Sequence, residues 1–163
     1  LRSLVLLETS ADPEPEENLP RYRLLTHITR LLGPAVVATQ VLPILFGKSF
    51  LNDPSRAPQR QRFLEILKAR RDIWRAVNGV IDRAGVAGEL QRIHVPTLIL
   101  VGDEDMATTL AKAQRIHERI QGSVLVQIPR AGHSSSVEEP AAVTAAIERF
   151  LTELEPHPST PEG

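Results

Sequence analysis

Two short apolar runs in the second half of the chain each end in residues that can carry chemistry. The run Val95–Val101 is followed by Gly102 and a cluster of acids that ends at Asp105. The run Ser123–Ile128 is followed, a few residues later, by His133. Short runs rich in β-branched residues and bounded by glycine and polar residues are typical of buried strands. The pattern therefore predicts two strands with an acid and a histidine just beyond their ends.

Amphipathic helical patterns follow each of these strands, over about residues 108–120 and then over Pro140–Leu154. Strands that alternate with helices of this length predict βαβ units and a parallel sheet. Polar groups beyond the carboxyl ends of parallel strands collect at one edge of the sheet. We therefore expect Asp105 and His133 to lie within hydrogen-bonding distance, about 2.6–3.2 Å.

The first half of the chain begins with another apolar run, Leu4–Leu7, which predicts a strand buried on both faces. A proline-rich loop then leads into a helical region of about 70 residues. Within it the apolar spacing predicts a helix over residues 24–32, a second over Pro34–Phe46 that Pro43 should kink or end early, and one longer amphipathic helix from Phe63 to Val77. The order is one strand, a helical insert and two βα units.

Composition excludes several classes of function. Hydrophobic residues make up 42% of the 163 residues and charged residues 24%, which is typical of a globular protein. The net charge of −1 and the pI near 6.6 give no basic surface for nucleic acid or anionic lipid. No apolar run approaches the ~20 residues that span a bilayer. We predict no nucleic-acid or membrane partner and a cytoplasmic location; the absence of cysteine leaves the redox compartment open.

Both strand ends carry recurring sequence motifs. The first reads Val95-Pro-Thr-Leu and Gly102, then Asp105 and Thr108; the second reads Gly132-His133, then Glu138 or Glu139 and Pro140. These motifs, in this order, resemble the acid and histidine limbs of the α/β-hydrolase superfamily. The resemblance extends over nearly the whole chain, and the one small departure is Thr109, where the family commonly has proline.

The resemblance implies an α/β fold that corresponds to the C-terminal part of an α/β-hydrolase, with about three parallel strands, flanking helices and a helical cap. It also implies catalytic roles for two residues. Asp105 would orient the imidazole, and His133 would act as general base for a serine. The nucleophile motif Gly-x-Ser-x-Gly does not occur in these residues. We therefore expect a fragment, inactive alone, whose serine and oxyanion hole lie on a missing N-terminal part. The implied domain boundaries are 1–15 for a core strand and exit loop, 16–88 for the cap, 89–155 for the C-terminal core and 156–163 for a disordered tail.

Other polar residues have simpler explanations. Asp103 and Glu104 are expected to be solvated loop acids, and Glu138 or Glu139 a partner of the dipole of the last helix. The serines at 134–136 are expected to be turn or helix-entry residues. No role is assigned to the remaining histidines, which are His27, His94, His117 and His157.

The apolar segment 36–46 has two possible roles, which the sequence leaves open. It either packs within the cap or roofs an apolar substrate pocket with Val41, Leu45 and Phe46. With the second role, the resemblance implies a small-molecule acyl substrate, namely a mostly apolar ester or lactone. It also implies a hydrolase of the esterase or lactonase type that needs no metal or organic cofactor. The alternative is a non-catalytic, hydrolase-like ligand-binding or signalling protein. In either case the open edge of the first strand predicts a protein partner, either the missing N-terminal half or another copy of the chain.

Overall fold

A three-stranded parallel sheet organises the computed structural model, which describes residues 1–154. Its strands are β1 (Leu4–Leu7), β2 (Thr97–Gly102) and β3 (Val124–Ile128), in the order β1-β2-β3. Leu4 is in register with Thr97, and Leu98 with Val124. The prediction of three neighbouring parallel strands is confirmed. The tail predicted over 156–163 lies outside the described residues.

The central strand β2 explains why its sequence is apolar throughout. All six of its residues are buried, because helices cover both faces of the sheet. Ile99 and Val101 pack against α6 (Leu110–His117), which begins and ends inside its predicted range. Leu98 and Leu100 pack on the other face against α8 (Pro140–Leu154), whose predicted bounds are confirmed. Successive side chains thus enter opposite cores, as a strand requires.

Two strand predictions need correction. β2 begins at Thr97 rather than Val95; the proline at position 96 has no amide hydrogen to donate to a neighbouring strand. The residues of β1 are half-buried rather than buried on both faces. Among the described residues β1 pairs with β2 alone, so its other edge is open.

The residues between β1 and β2 form short helices, which we call the helical segment (residues 19–92). Its α-helices are α1 (Leu19–Leu32), α2 (Ala38–Leu45), α3 (Lys48–Asn52), α4 (Ala57–Ala69) and α5 (Ile73–Ile81). Three turns of 3₁₀ helix, over Pro34–Val36, Pro54–Arg56 and Ala87–Arg92, join or follow them. One further short helix, α7 (Ser135–Glu138), lies between β3 and α8.

The helical segment differs from its prediction at several places. The helix α1 begins at Leu19 rather than residue 24, α3 was not predicted, and α4 begins at Ala57 rather than Phe63. The single helix predicted from Phe63 to Val77 is broken into α4 and α5, because Arg70 leaves the helical conformation with a ψ of 76°. The helix α5 begins after Asp72, whose side chain makes no capping hydrogen bond. The helix predicted over Pro34–Phe46 is divided into a 3₁₀ turn and α2, which contains Pro43 and ends soon after it.

Candidate active site

The loops that follow β2 and β3 lie side by side at the carboxyl edge of the sheet. The backbone N–H of Asp103 donates to the carbonyl of Ile128 at 3.0 Å, and that of Glu104 donates to the carbonyl of Ala131 at 2.9 Å. These bonds continue the pairing of β2 with β3 beyond the strands. The parallel sheet therefore brings the residues after Gly102 to those before His133.

Asp105 and His133 are in direct contact, at the distance expected from the sequence. Asp105 Oδ2 lies 3.0 Å from His133 Nδ1. Asp105 Oδ1 accepts the backbone N–H groups of Ala107 and Thr108 at 2.7 and 2.8 Å, and Oδ2 also accepts the Thr108 hydroxyl at 2.7 Å. Burial raises the pKa of Asp105, but the hydrogen bonds with His133 and Thr108 outweigh burial and hold that pKa below its ordinary value. The carboxylate is therefore a fixed negative charge beside the imidazole.

His133 is held in one orientation by its contact with Asp105. Its hydrogen bond to Asp105 raises the pKa of the imidazole, while burial works in the opposite direction. The side chain of Asp105 is fully buried, whereas that of His133 remains 28% exposed. Because Nδ1 faces the carboxylate, Nε2 is the nitrogen left to exchange a proton with a second group.

Glu138 binds the loop that carries His133, residues 129–134, which we call the histidine loop. Its side chain is buried, and its Oε1 accepts the backbone N–H groups of Gly132 at 2.9 Å and Ser134 at 3.1 Å. Its Oε2 accepts the N–H of Gly47 from the helical segment at 2.7 Å. Burial raises the pKa of Glu138, and these three backbone hydrogen bonds oppose the rise. The expected interaction with the helix dipole is wrong for Glu138, which instead joins the residues on both sides of His133 to the helical segment.

Gly132 and Gly47 allow that junction to be close. A Cβ atom on Gly132 would meet the backbone nitrogen of Gly47 and the carbonyl carbon of Phe46 inside contact distance. Both atoms belong to backbone and cannot turn aside as a side chain could. Glycine is therefore required before His133 by packing rather than by a positive φ, since none is recorded at Gly132.

Glu104 makes a second link between the sheet edge and the helical segment. Its Oε2 accepts the Ser49 backbone N–H at 2.7 Å, and its Oε1 accepts the Ser49 hydroxyl at 2.6 Å. Burial raises the pKa of Glu104, but the two hydrogen bonds from Ser49 outweigh burial, and the pKa lies below its ordinary value. Glu104 is thus not the solvated loop acid that the sequence predicted, whereas Asp103 is exposed as expected.

Glu8 is an acid of the site that the sequence analysis did not single out. It follows β1, has a φ of 40°, and its Oε1 is buried without a hydrogen-bond partner among the described residues. Burial raises its pKa to about 7, and the nearby Ser135 hydroxyl and His133 imidazole work against the rise. A polar residue at the carboxyl end of a strand is the sequence signal that could have identified it.

Replacing Glu8 by glutamine is expected to increase stability selectively at high pH. The folded pKa of Glu8 lies above the ordinary glutamate value of 4.5, so the favourable contribution of Glu8 is complete below pH 4.5 and is lost as pH rises through about 7. The free energy of unfolding of Glu8→Gln relative to wild type should rise by about 1–2 kcal/mol between pH 4 and pH 9, after a discount for partial exposure. Urea denaturation at both pH values measures this. The exposed control Glu118→Gln should differ from wild type by the same free energy at pH 4 and pH 9. The same behaviour in Glu8→Gln would contradict a raised pKa for Glu8.

A cavity of about 310 Å³ opens beside His133. Thr108, His133 and Glu8 contribute to one part of its wall. The remainder is mostly apolar and comes from the helical segment, including Leu25, Val37, Val41, Leu45, Val77 and Val80. The structure therefore places a mostly apolar space next to the Asp105–His133 pair.

The three residues proposed to roof a pocket occupy two different environments. Val41 and Leu45 line the cavity. Phe46 is 2% exposed and is not among the lining residues; its ring stacks on Phe50 with centroids 4.8 Å apart and meets Phe63 edge-on at 4.7 Å. The apolar segment thus contributes both to the cavity wall and to packing within the helical segment.

The other candidate residues lie apart from the pair. His27 and His94 are exposed, His117 hydrogen-bonds the hydroxyl of Ser123 at 2.8 Å, and His157 lies outside the described residues. Of the serines after His133, Ser134 precedes α7 and Ser135 is buried within it. Residues 1–154 contain no group of three or more histidine, aspartate or glutamate side chains that could hold a metal ion. No helix in the same range is both long and apolar enough to cross a membrane.

Comparisons with known proteins agree with this geometry. Residues 80–160 match a family model of α/β-hydrolases described as TAP-like protein. The structure is similar to that of a thermophilic esterase from Thermogutta terrifontis, with a TM-score of 0.83 and 29% identity, covering 96% of this chain and 57% of the esterase chain. The chain belongs to the α/β-hydrolase superfamily.

Further relatives are also hydrolases. Over 71 residues the chain is 42% identical to 3-oxoadipate enol-lactonase 2 of Acinetobacter baylyi. The matched residues make up 44% of this chain and 26% of that enzyme. The fold is also that of the enol-lactonase from Burkholderia xenovorans LB400, with a TM-score of 0.78 and 23% identity over 93% of this chain and 56% of that one. This α/β-hydrolase chain thus spans less than two thirds of the length of these relatives.

Proposed function

We propose that this chain forms the cap and C-terminal part of a serine hydrolase of the esterase or lactonase type. The observation that carries the proposal is the 3.0 Å contact between Asp105 and His133 beside a mostly apolar cavity. Relatives described as an esterase and as enol-lactonases support the reaction class. The proposed substrate is a small, mostly apolar ester or lactone, because the cavity next to His133 is lined mainly by aliphatic side chains.

In this proposal Asp105 keeps the Nδ1–H tautomer of His133 and stabilises the imidazolium that forms during reaction. His133 Nε2 takes the proton of a serine hydroxyl as its oxygen attacks the acyl carbon, and returns that proton to the leaving group. Water then attacks the acyl-enzyme with the same histidine as base. The serine and the oxyanion hole are assigned to a part of the protein outside residues 1–163, because Gly-x-Ser-x-Gly does not occur within them.

Two structural roles complete the proposal. The helical segment acts as the cap, since its side chains form most of the cavity wall beside His133. The open edge of β1 receives a strand from the N-terminal part of the same protein or from another copy, because an unpaired row of backbone N–H and C=O groups is a template for pairing. Residues 1–163 alone are accordingly expected to lack esterase activity.

The pH dependence of the full-length protein tests the role of the pair. A general base must be neutral, and the hydrogen bond to Asp105 raises the pKa of His133. We therefore expect kcat/KM for p-nitrophenyl butyrate to rise with pH, with a midpoint above about 6.5. The variant Asp105→Asn should move the midpoint downward and lower kcat by roughly 10³–10⁴-fold. Initial rates across about pH 5 to 9 measure both effects.

Asp103→Asn is the matched control, because Asp103 is an exposed acid two positions before Asp105. Its pH midpoint and kcat should match those of wild type. An unchanged midpoint in Asp105→Asn would show that Asp105 does not set the charge state of the catalytic base. Absence of any hydrolysis by the full-length wild type would instead favour a ligand-binding protein.

A further inference from the structure

A polar group sits in the cavity wall outside the Asp105–His133 pair. It consists of Glu14 from the loop after β1, Tyr22 on α1 and Arg83 just after α5. These residues come from three separate parts of the chain, and all three line the cavity. The proposed hydrolysis chemistry uses none of them.

Glu14 and Arg83 form a partly buried ion pair. Arg83 Nη2 donates to Glu14 Oε2 at 3.3 Å, with side-chain exposures of 26% and 6% respectively. Glu14 Oε1 accepts the amide of Asn18 at 2.8 Å. Both oxygens of the carboxylate are therefore occupied, and its charge is balanced by a single guanidinium.

The guanidinium keeps donors unused. Within residues 1–154 its one hydrogen bond runs from Nη2 to Glu14, while the side chain lines the cavity and remains 26% exposed. The hydroxyl of Tyr22 also has no hydrogen bond within residues 1–154, and burial, followed by the nearby Glu14, raises its pKa, which keeps it a donor. Two residues that line the cavity thus have donors without an acceptor in the described part of the chain.

We infer that Arg83 and Tyr22 form a subsite for a neutral oxygen acceptor, a ketone, ester or amide carbonyl, carried by the substrate away from its scissile acyl group. A carboxylate fits less well, because it would add a negative charge beside Glu14, whose cation partner Arg83 already balances the charge of Glu14 itself. The intervening wall, which includes Leu25, Val77 and Val80, suits a short aliphatic spacer. This inference rests on the proposed function and narrows its substrate class to acyl compounds with two oxygen functions.

The test compares three matched series of p-nitrophenyl esters on the full-length protein. One series has plain alkyl chains of increasing length, one carries a keto group near the chain end, and one carries a terminal carboxylate. We expect the keto esters of the best-fitting length to exceed the alkyl esters in kcat/KM by about tenfold, since a hydrogen bond to a charged donor supplies discrimination of this order. Arg83→Met should lower that keto-to-alkyl ratio to near one, and Tyr22→Phe should lower it about threefold.

The keto-to-alkyl ratio of kcat/KM separates recognition of the keto group from a structural role. A variant that is only destabilised loses kcat/KM for keto and alkyl esters together, so its ratio does not change. Arg92→Met removes an exposed arginine that pairs with Glu89 and does not line the cavity, so its ratio and rates should match wild type. A ratio that is unchanged in both Arg83→Met and Tyr22→Phe would overturn the subsite. A preference for the carboxylate series would overturn its neutral character.

A binding measurement keeps the test independent of catalysis. Isothermal titration of the full-length protein with a medium-chain methyl ketone should show about tenfold tighter binding than the alkene of equal length, and Arg83→Met should remove the difference. If no ester is hydrolysed but this difference is present, the proposed esterase function fails while the subsite stands. If esters are hydrolysed and the ketone binds no better than the alkene, the subsite alone fails.

Discussion

Replacing His133 by alanine in the full-length protein is expected to lower kcat for short-chain p-nitrophenyl esters by at least roughly 10⁴-fold. The reason is the loss of the proposed general base, since His133 Nδ1 faces Asp105 and Nε2 is left to exchange a proton. KM should change far less than kcat, because the cavity wall comes mostly from the helical segment. Steady-state kinetics measure the effects on kcat and KM separately.

His27→Ala provides the control for the His133 variant. His27 is an exposed histidine on α1 and does not line the cavity, so its removal should leave kcat within about twofold of wild type. Retention of more than about one hundredth of wild-type kcat in His133→Ala would contradict a general-base role, because removal of such a group costs at least roughly 10²-fold.

The largest expected loss of stability follows from Glu138→Ala. Its carboxylate accepts three backbone N–H groups, from Gly47, Gly132 and Ser134. Truncation leaves these donors without their acceptor at a buried junction and creates a cavity beneath the histidine loop. We expect the free energy of unfolding to fall by about 3–5 kcal/mol in urea denaturation.

Glu138→Gln distinguishes the hydrogen bonds from the shape of the side chain. Glutamine can keep an oxygen toward Gly132 and Ser134, but its amide group then faces the N–H of Gly47. The free energy of unfolding of Glu138→Gln should therefore lie between those of wild type and Glu138→Ala, about 1–2 kcal/mol below wild type. A Glu138→Ala protein as stable as wild type would show that the junction between the histidine loop and the helical segment is not held by this carboxylate.

The sheet and its strand ends could be predicted from the sequence because their signals are local. Buried parallel strands such as β2 are apolar on both faces, and their ends are marked by Gly102 and by the residues before His133. Parallel pairing then places Asp105 beside His133 without further information. The break between α4 and α5 was missed because the apolar spacing continues across it, and the backbone leaves the helix only over residues 70–72.

The supporting residues of the site could not be predicted, because their partners are distant in sequence. Glu138 accepts the N–H of Gly47, and Glu104 accepts groups of Ser49, across the boundary between the sheet and the helical segment. Nothing in the local pattern around Gly47 specifies either contact. The same holds for Glu8 Oε1 and Arg83 Nε, which are buried without a hydrogen-bond partner among the described residues. The local sequence does not indicate that burial.

Labelling of the full-length protein with a fluorophosphonate, followed by peptide mapping, tests whether the Asp105–His133 pair serves a serine nucleophile. We expect one serine to be modified, at a position outside residues 1–163, and the labelling rate to fall by at least about 10²-fold in His133→Ala. His27→Ala should label as fast as wild type. Modification of a serine within residues 1–163, or labelling at the wild-type rate in His133→Ala, would contradict the proposed catalytic pair.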